Sequence, residues 1–106
     1  NSAVKKAMLY IQENFSKDIS LDEVSGQVNI SPYYFSKIFK EETGENFIEY
    51  LTRIRIEKAK EFLKQPEVSV KEAGVKSGYT DPNYFSRIFK KQTDMTPSEF
   101  KTRYGK

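Results

Sequence analysis

The chain contains no cysteine and no histidine. Without cysteine, no disulfide can staple the fold, no thiolate can hold zinc and no thiol nucleophile is available. Without histidine, no side chain has an ordinary pKa near neutrality for acid-base work. No run approaches the roughly 18 apolar residues a membrane helix needs, and no charged start leads into the apolar stretch of a signal peptide. A phosphate-cradling GxxxxGK[ST] loop is missing, as is any carboxylate set at metal-ligand spacing. Catalysis, a bound metal or cofactor, and membrane insertion are therefore not expected, and a reducing cytoplasm is the expected location. No alternating strand pattern occurs, so the fold class expected is all-α.

What is present suffices for one compact domain over residues 1–106 or two very small halves sharing a core. The chain is 37% apolar and 31% charged, and seven Tyr and eight Phe allow a dense interior. Its net charge of +3 is a mild excess, so the placement of the charges must decide whether a polyanion is the partner. The start at Asn1 rather than Met suggests further sequence upstream.

The chain repeats itself. Residues 33–44 (YYFSKIFKEETG) recur fifty positions later as residues 83–94 (NYFSRIFKKQTD), with seven of twelve positions identical. Upstream, residues 20–28 match residues 69–77 at a shift of forty-nine. The connections differ by one residue, and each opens with a residue that tolerates positive φ, Asn29 and Gly78. Each copy thus reads as helix, tight turn, helix. Ser31-Pro32 and Asp81-Pro82 supply a capping oxygen and a proline at the first helical position. Ser20 with Glu23, and Ser69 with Glu72, have capping-box spacing for the leading helices.

Three more helices complete a set of seven. Val4, Ala7, Met8, Ile11 and Phe15 give an opening amphipathic helix. A long helix over about residues 46–64 joins the two helix-turn-helix units, about 20–44 and 69–94, and Thr96-Pro97 starts a last helix through Tyr104. The apolar residues expected on the long helix are Phe47, Tyr50, Leu51, Ile54, Ala59, Phe62 and Leu63.

Within each repeated helix, Phe35, Ile38 and Phe39, or Phe85, Ile88 and Phe89, must be buried. The opposite stripes carry Tyr33, Ser36, Lys37 and Lys40, or Asn83, Ser86, Arg87 and Lys90. Small or amide hydrogen-bonders at the helix start followed by cations suit the major groove: Arg pairs with two guanine acceptors, Asn with adenine, and Tyr meets thymine methyls. An ordinary solvated face is the usual reading of a lone Lys or Arg, but the duplication favours a shared role. Tyr34 and Tyr84 fall between the faces, where partial burial is expected.

The run from Ser77 to Lys91, followed by residues 96–100 (TPSEF), closely resembles the signature of AraC/XylS-type transcription regulators. Ile30-Ser31-Pro32, Phe35-Ser36, Phe39-Lys40, Gly44, Arg53 to Arg55 and Lys58-Ala59 are similar to that family's first unit and connecting helix. The likeness covers about Val4 to Tyr104. It implies a seven-helix domain whose two recognition helices enter successive major grooves of double-stranded DNA. Base contacts would fall to Tyr33, Ser36, Lys37, Asn83, Ser86 and Arg87, and phosphate contacts to Lys40, Arg53, Arg55, Lys90 and Lys91. Arg53 and Arg55 have bracing of the core through carboxylates as an equal alternative. The resemblance also implies work with the transcription machinery, a monomeric isolated domain and, in some relatives, attachment to a response-regulator receiver. Asp94 departs from the family's usual Gly, and Lys101 from a common Arg. A helical protein-interaction module is the main rival, weakened because the period occurs only twice. Binding of unpaired RNA ranks behind it, since most aromatics fall on buried stripes.

Overall fold

Every helix start in the chain is written in side chains that can replace a missing backbone partner. In a computed structural model, residues 1–105 are described, and they form seven helices: α1 (Ser2–Asn14), α2 (Leu21–Gln27), α3 (Pro32–Thr43), α4 (Phe47–Leu63), α5 (Val70–Lys76), α6 (Pro82–Thr93) and α7 (Pro97–Tyr104). Among the described residues there is no strand. Ser20, Ser31, Ser69, Asp81 and Thr96 all accept from free first-turn amides, as the sequence predicts. Ser69 with Glu72 and Thr96 with Glu99 close full capping boxes. Asn46 and Glu49 exchange the same pair of bonds at the start of α4, each 2.8 Å. The backbone amides of Ser69 and Thr96, followed by the cap hydroxyls, hold the Glu72 and Glu99 carboxyls below the usual carboxylate range.

The chain divides into two compact units inside α4, one spanning Asn1–Ile54 and the other beginning at Arg55. In the first, Val4, Ala7 and Ile11 of α1 pack with Val24, Phe35, Ile38 and Phe39, closed by Phe47, Tyr50, Leu51 and Ile54 of α4. The Tyr50 hydroxyl accepts from Gln12 at 3.0 Å, and Tyr10 donates to Glu23, tying α1 to α4 and α2. In the second, Ile56, Ala59 and Leu63 of α4 pack with Val68, Ala73, Tyr79, Phe85, Phe89 and Phe100. Ile88, expected in the core, is only partly buried against it.

Ile56 was not among the core residues expected on α4, yet it is 3% exposed. Because α4 supplies apolar side chains to two clusters, no single helical stripe describes it, and a one-stripe reading passes Ile56 over. The end of α4 has an unusual closure. The Lys101 ammonium on α7 donates to the carbonyls of Leu63 at 3.2 Å and Gln65 at 2.9 Å, satisfying acceptors that a helix end leaves open.

Two small residues at equivalent positions in the repeat are both buried, Ser25 in α2 and Gly74 in α5. A Cβ built on Gly74 would lie 2.9 Å from Cδ2 of Phe85, nearer than carbon atoms approach. Gly26, in contrast, has nothing within 4 Å of its would-be Cβ.

Candidate nucleic-acid interface

The two recognition segments are positioned by the same local devices. Asn29 and Gly78 adopt φ of 59° and 107°, reversing the chain after α2 and α5. Ile30 N–H then donates to the Ser25 carbonyl at 3.2 Å, and Tyr79 N–H donates to the Gly74 carbonyl at 2.8 Å. These bonds fix the angle at which α3 and α6 leave their turns. Ser31 accepts from Tyr34 N–H, and Asp81 accepts from Asn83 and Tyr84 N–H. At the far ends Gly44 and Asp94 turn left-handed, at φ of 80° and 64°. Asp94 thus performs the turn for which a glycine is the easier residue.

Burial splits each helix as its spacing predicts. Phe35, Ile38 and Phe39 face inward on α3, as do Phe85 and Phe89 on α6. Tyr33, Lys37 and Lys40 are exposed with Ser36 half-buried, and Asn83, Arg87, Lys90 and Lys91 are exposed with Ser86 half-buried. Tyr33 stands 83% exposed, which is far from the behaviour of a core aromatic. Each expected triplet is therefore gathered on one accessible face of its own helix.

The expected phosphate residues differ in surroundings. Lys40 donates to the Gly44 carbonyl at 3.1 Å and lies 3.8 Å from the Glu49 carboxylate. Arg53 grips Glu45 with Nε at 3.1 Å and Nη2 at 2.9 Å and lies over the Tyr50 ring. Arg55 is half-buried with its guanidinium 5.4 Å from the Tyr79 ring centre. Arg53 thus shows the carboxylate bracing that sequence reasoning held open, whereas Arg55 is seen against an aromatic ring.

Two residues expected to lie between the faces border this one. Tyr34 and Tyr84 are 49% and 47% exposed, so about half of each ring meets solvent beside the stripe. The Tyr84 ring packs against Tyr79 at 5.9 Å and carries the Arg87 guanidinium 5.8 Å above its centre. Their i, i+3 spacing is the signal that could have joined Tyr84 to Arg87 in advance.

Among the described residues no cluster of three or more Cys, His, Asp or Glu is placed to hold a metal. Nor, among the described residues, is any helix long and apolar enough to cross a membrane.

Comparison with known proteins agrees with this geometry. A helix-turn-helix domain family matches residues 24–103. The regulatory protein PocR of Salmonella typhimurium is 34% identical over 101 residues, covering 95% of this chain and 33% of PocR. The C-terminal domain of AraT, a response regulator from Geobacillus stearothermophilus, superposes with a TM-score of 0.95 at 37% identity, covering 100% of this chain and 88% of that one. The DNA-binding domain of AdpA, a global transcriptional factor solved with a target DNA, shares the fold at a TM-score of 0.90 and 19% identity, over 95% of this chain and 91% of that one. The chain spans about a third of the length of PocR, so the likeness concerns one module of a longer regulator.

Proposed function

Because the chain belongs to the AraC-type helix-turn-helix family, whose members are transcription regulators, we propose that it reads double-stranded DNA with two triplets of side chains, one per unit. Tyr33, Ser36 and Lys37 read one short stretch of major groove, and Asn83, Ser86 and Arg87 read the next. Arg87 pairs with a guanine, Asn83 with an adenine, and Tyr33 packs on thymine methyls. Lys40, Lys90 and Lys91 neutralise phosphates, which supplies affinity without sequence choice. Arg53 and Arg55 add positive field from their seats on Glu45 and Tyr79. The role is non-enzymatic, in keeping with the family.

The observation that carries this reading is the duplicated outer face. Two helices of one chain turn equivalent apolar positions inward, Ile88 less fully than Ile38, and carry Ser36 and Ser86, Lys37 and Arg87, and Lys40 and Lys90 at equivalent outward positions, although nothing in packing demands that outward residues repeat. The AdpA domain, of the same fold, is known with target DNA bound. We place the module in the cytoplasm, bound as a monomer and acting with the transcription machinery.

Selection of bound duplexes from a random pool tests the proposal. The expected outcome is a non-palindromic consensus in two halves about one helical turn apart. A pool that yields no enriched sequence would favour a protein-interaction module and reject DNA reading.

A further inference from the structure

The repeat conserves shape far better than charge. The unit spanning Asn1–Ile54 carries six Lys and Arg against eight Asp and Glu, whereas the unit beginning at Arg55 carries twelve against seven. The imbalance reaches the recognition helices themselves. On α3 the cations Lys37 and Lys40 are followed by Glu41 and Glu42; on α6 Arg87 and Lys90 are followed by Lys91 and neutral Gln92. Glu41 and Lys91 occupy equivalent exposed positions, one turn beyond Lys37 and Arg87 and on the flank of the reading stripe.

The surroundings widen the difference. In the first unit Lys40 is shared with Glu49 and the Gly44 carbonyl, and Arg53 is gripped by Glu45. In the second, Glu72 and Glu99 are hydrogen-bonded to the amides of Ser69 and Thr96, and the cations near them, Lys76 for Glu72 and Lys90 and Arg103 for Glu99, act on them less strongly than those amides. One feature runs the other way: Asp81 sets a carboxylate at the start of α6 where α3 has neutral Ser31. A single charge there does not reverse a difference of seven between the units.

We infer that the two units divide the work of DNA binding unequally: the second anchors the phosphates and supplies most of the affinity, while the first contributes sequence choice with little electrostatic pull, and Glu41 against Lys91 sets much of the difference. This rests on the DNA-reading proposal above. At about 0.1 M salt, screening confines exposed charges to about 10 Å, so charges on the recognition face itself decide the outcome. Each phosphate neutralised steepens the fall of log K with log salt by about 0.9, and a carboxylate beside the backbone works against such contacts. Tyr33, exposed on the first unit where the second has Asn83, offers apolar contact that salt barely touches.

The test uses the full chain and short duplexes carrying one half of its selected consensus each, assigned to units by which half loses base preference in Arg87→Ala. The half read by the second unit is expected to bind at least tenfold more tightly at 0.1 M KCl, with the steeper salt slope and a gap that narrows as salt rises. Glu41→Lys should tighten binding to the other half several-fold and steepen its slope by about one; Lys91→Glu should weaken the anchoring half at least tenfold. Both positions are exposed, and circular dichroism confirms that the variants fold. Equal affinity and equal slope for the two halves in the parent would overturn the division of work. A parent that fails to prefer its selected duplex over a scrambled one would instead reject the DNA-reading proposal.

Discussion

Adding one methyl group at Gly74 sets two known effects against each other. Alanine in place of glycine inside a helix gains about 1 kcal/mol from reduced backbone freedom. At Gly74, however, the new Cβ would stand 2.9 Å from the Phe85 ring. That ring is 1% exposed, stacked on Tyr79 at 5.6 Å and edge-on to Phe89 at 5.8 Å, so two packed rings oppose its retreat. Overpacking of this kind costs about 1–3 kcal/mol. Gly74→Ala is therefore expected to destabilise by up to about 2 kcal/mol once the helix gain of about 1 is subtracted. Gly26→Ala supplies the control, because its Cβ meets open space and the backbone gain acts alone. The difference between the two variants isolates the steric contribution, about 1–3 kcal/mol, since the helix contribution cancels. Urea unfolding followed by circular dichroism measures both. Phe85 sits on the buried side of α6, the helix that carries Asn83, Ser86 and Arg87, so Gly74→Ala should weaken binding to the selected duplex while Gly26→Ala leaves it unchanged. If Gly74→Ala proved as stable as Gly26→Ala, the close approach of α5 to α6 would not be the constraint described.

Three other outcomes are expected. Arg87→Ala should cost about 1–3 kcal/mol on the selected duplex and relax choice at one base pair, whereas Lys90→Ala should weaken all sequences and lower the salt slope by about one; equal losses on selected and scrambled duplexes for Arg87→Ala would count against base reading. Tyr84→Phe should keep the base preference set by Arg87 and Tyr84→Leu should blur it, because only the aromatic ring holds the guanidinium; competition binding against duplexes varied at that base pair distinguishes them. Glu72 and Glu99 have depressed folded-state pKa values, so their stabilising contribution is complete above the ordinary carboxylate pKa, about 4.3, and is lost as pH falls through the lower folded values. Glu72→Gln with Glu99→Gln keeps a capping acceptor without the titration and should lose less stability between about pH 5 and 3; an identical loss in parent and variant would refute the assignment.

The helix starts were legible because capping is local chemistry: Ser31-Pro32 and Asp81-Pro82 announce themselves within four residues. The turns were legible for the same reason, since Asn29 and Gly78 are among the few residue types that accept positive φ. The inward and outward faces of α3 and α6 followed from helical spacing, which is why each proposed triplet is found together. What escaped depends on neighbours remote in sequence or on side-chain direction. Ile56 is buried because α4 serves two clusters. Arg53 was open to a carboxylate partner, but which one, Glu45 eight positions away, no periodicity reports. Tyr84 becomes a seat for Arg87 only once both rotamers are known.

The Lys101 ammonium has a consequence for biosynthesis. Two carbonyls at the end of α4 find their donor on a residue 36 and 38 positions downstream. A nascent chain emerging from the ribosome holds all of Asn1–Ile54 well before that lysine exists. The leading half can thus mature while translation continues, but its trailing counterpart stays unfinished until Lys101 has been made, and a chain stopped before Lys101 would leave that helix end frayed.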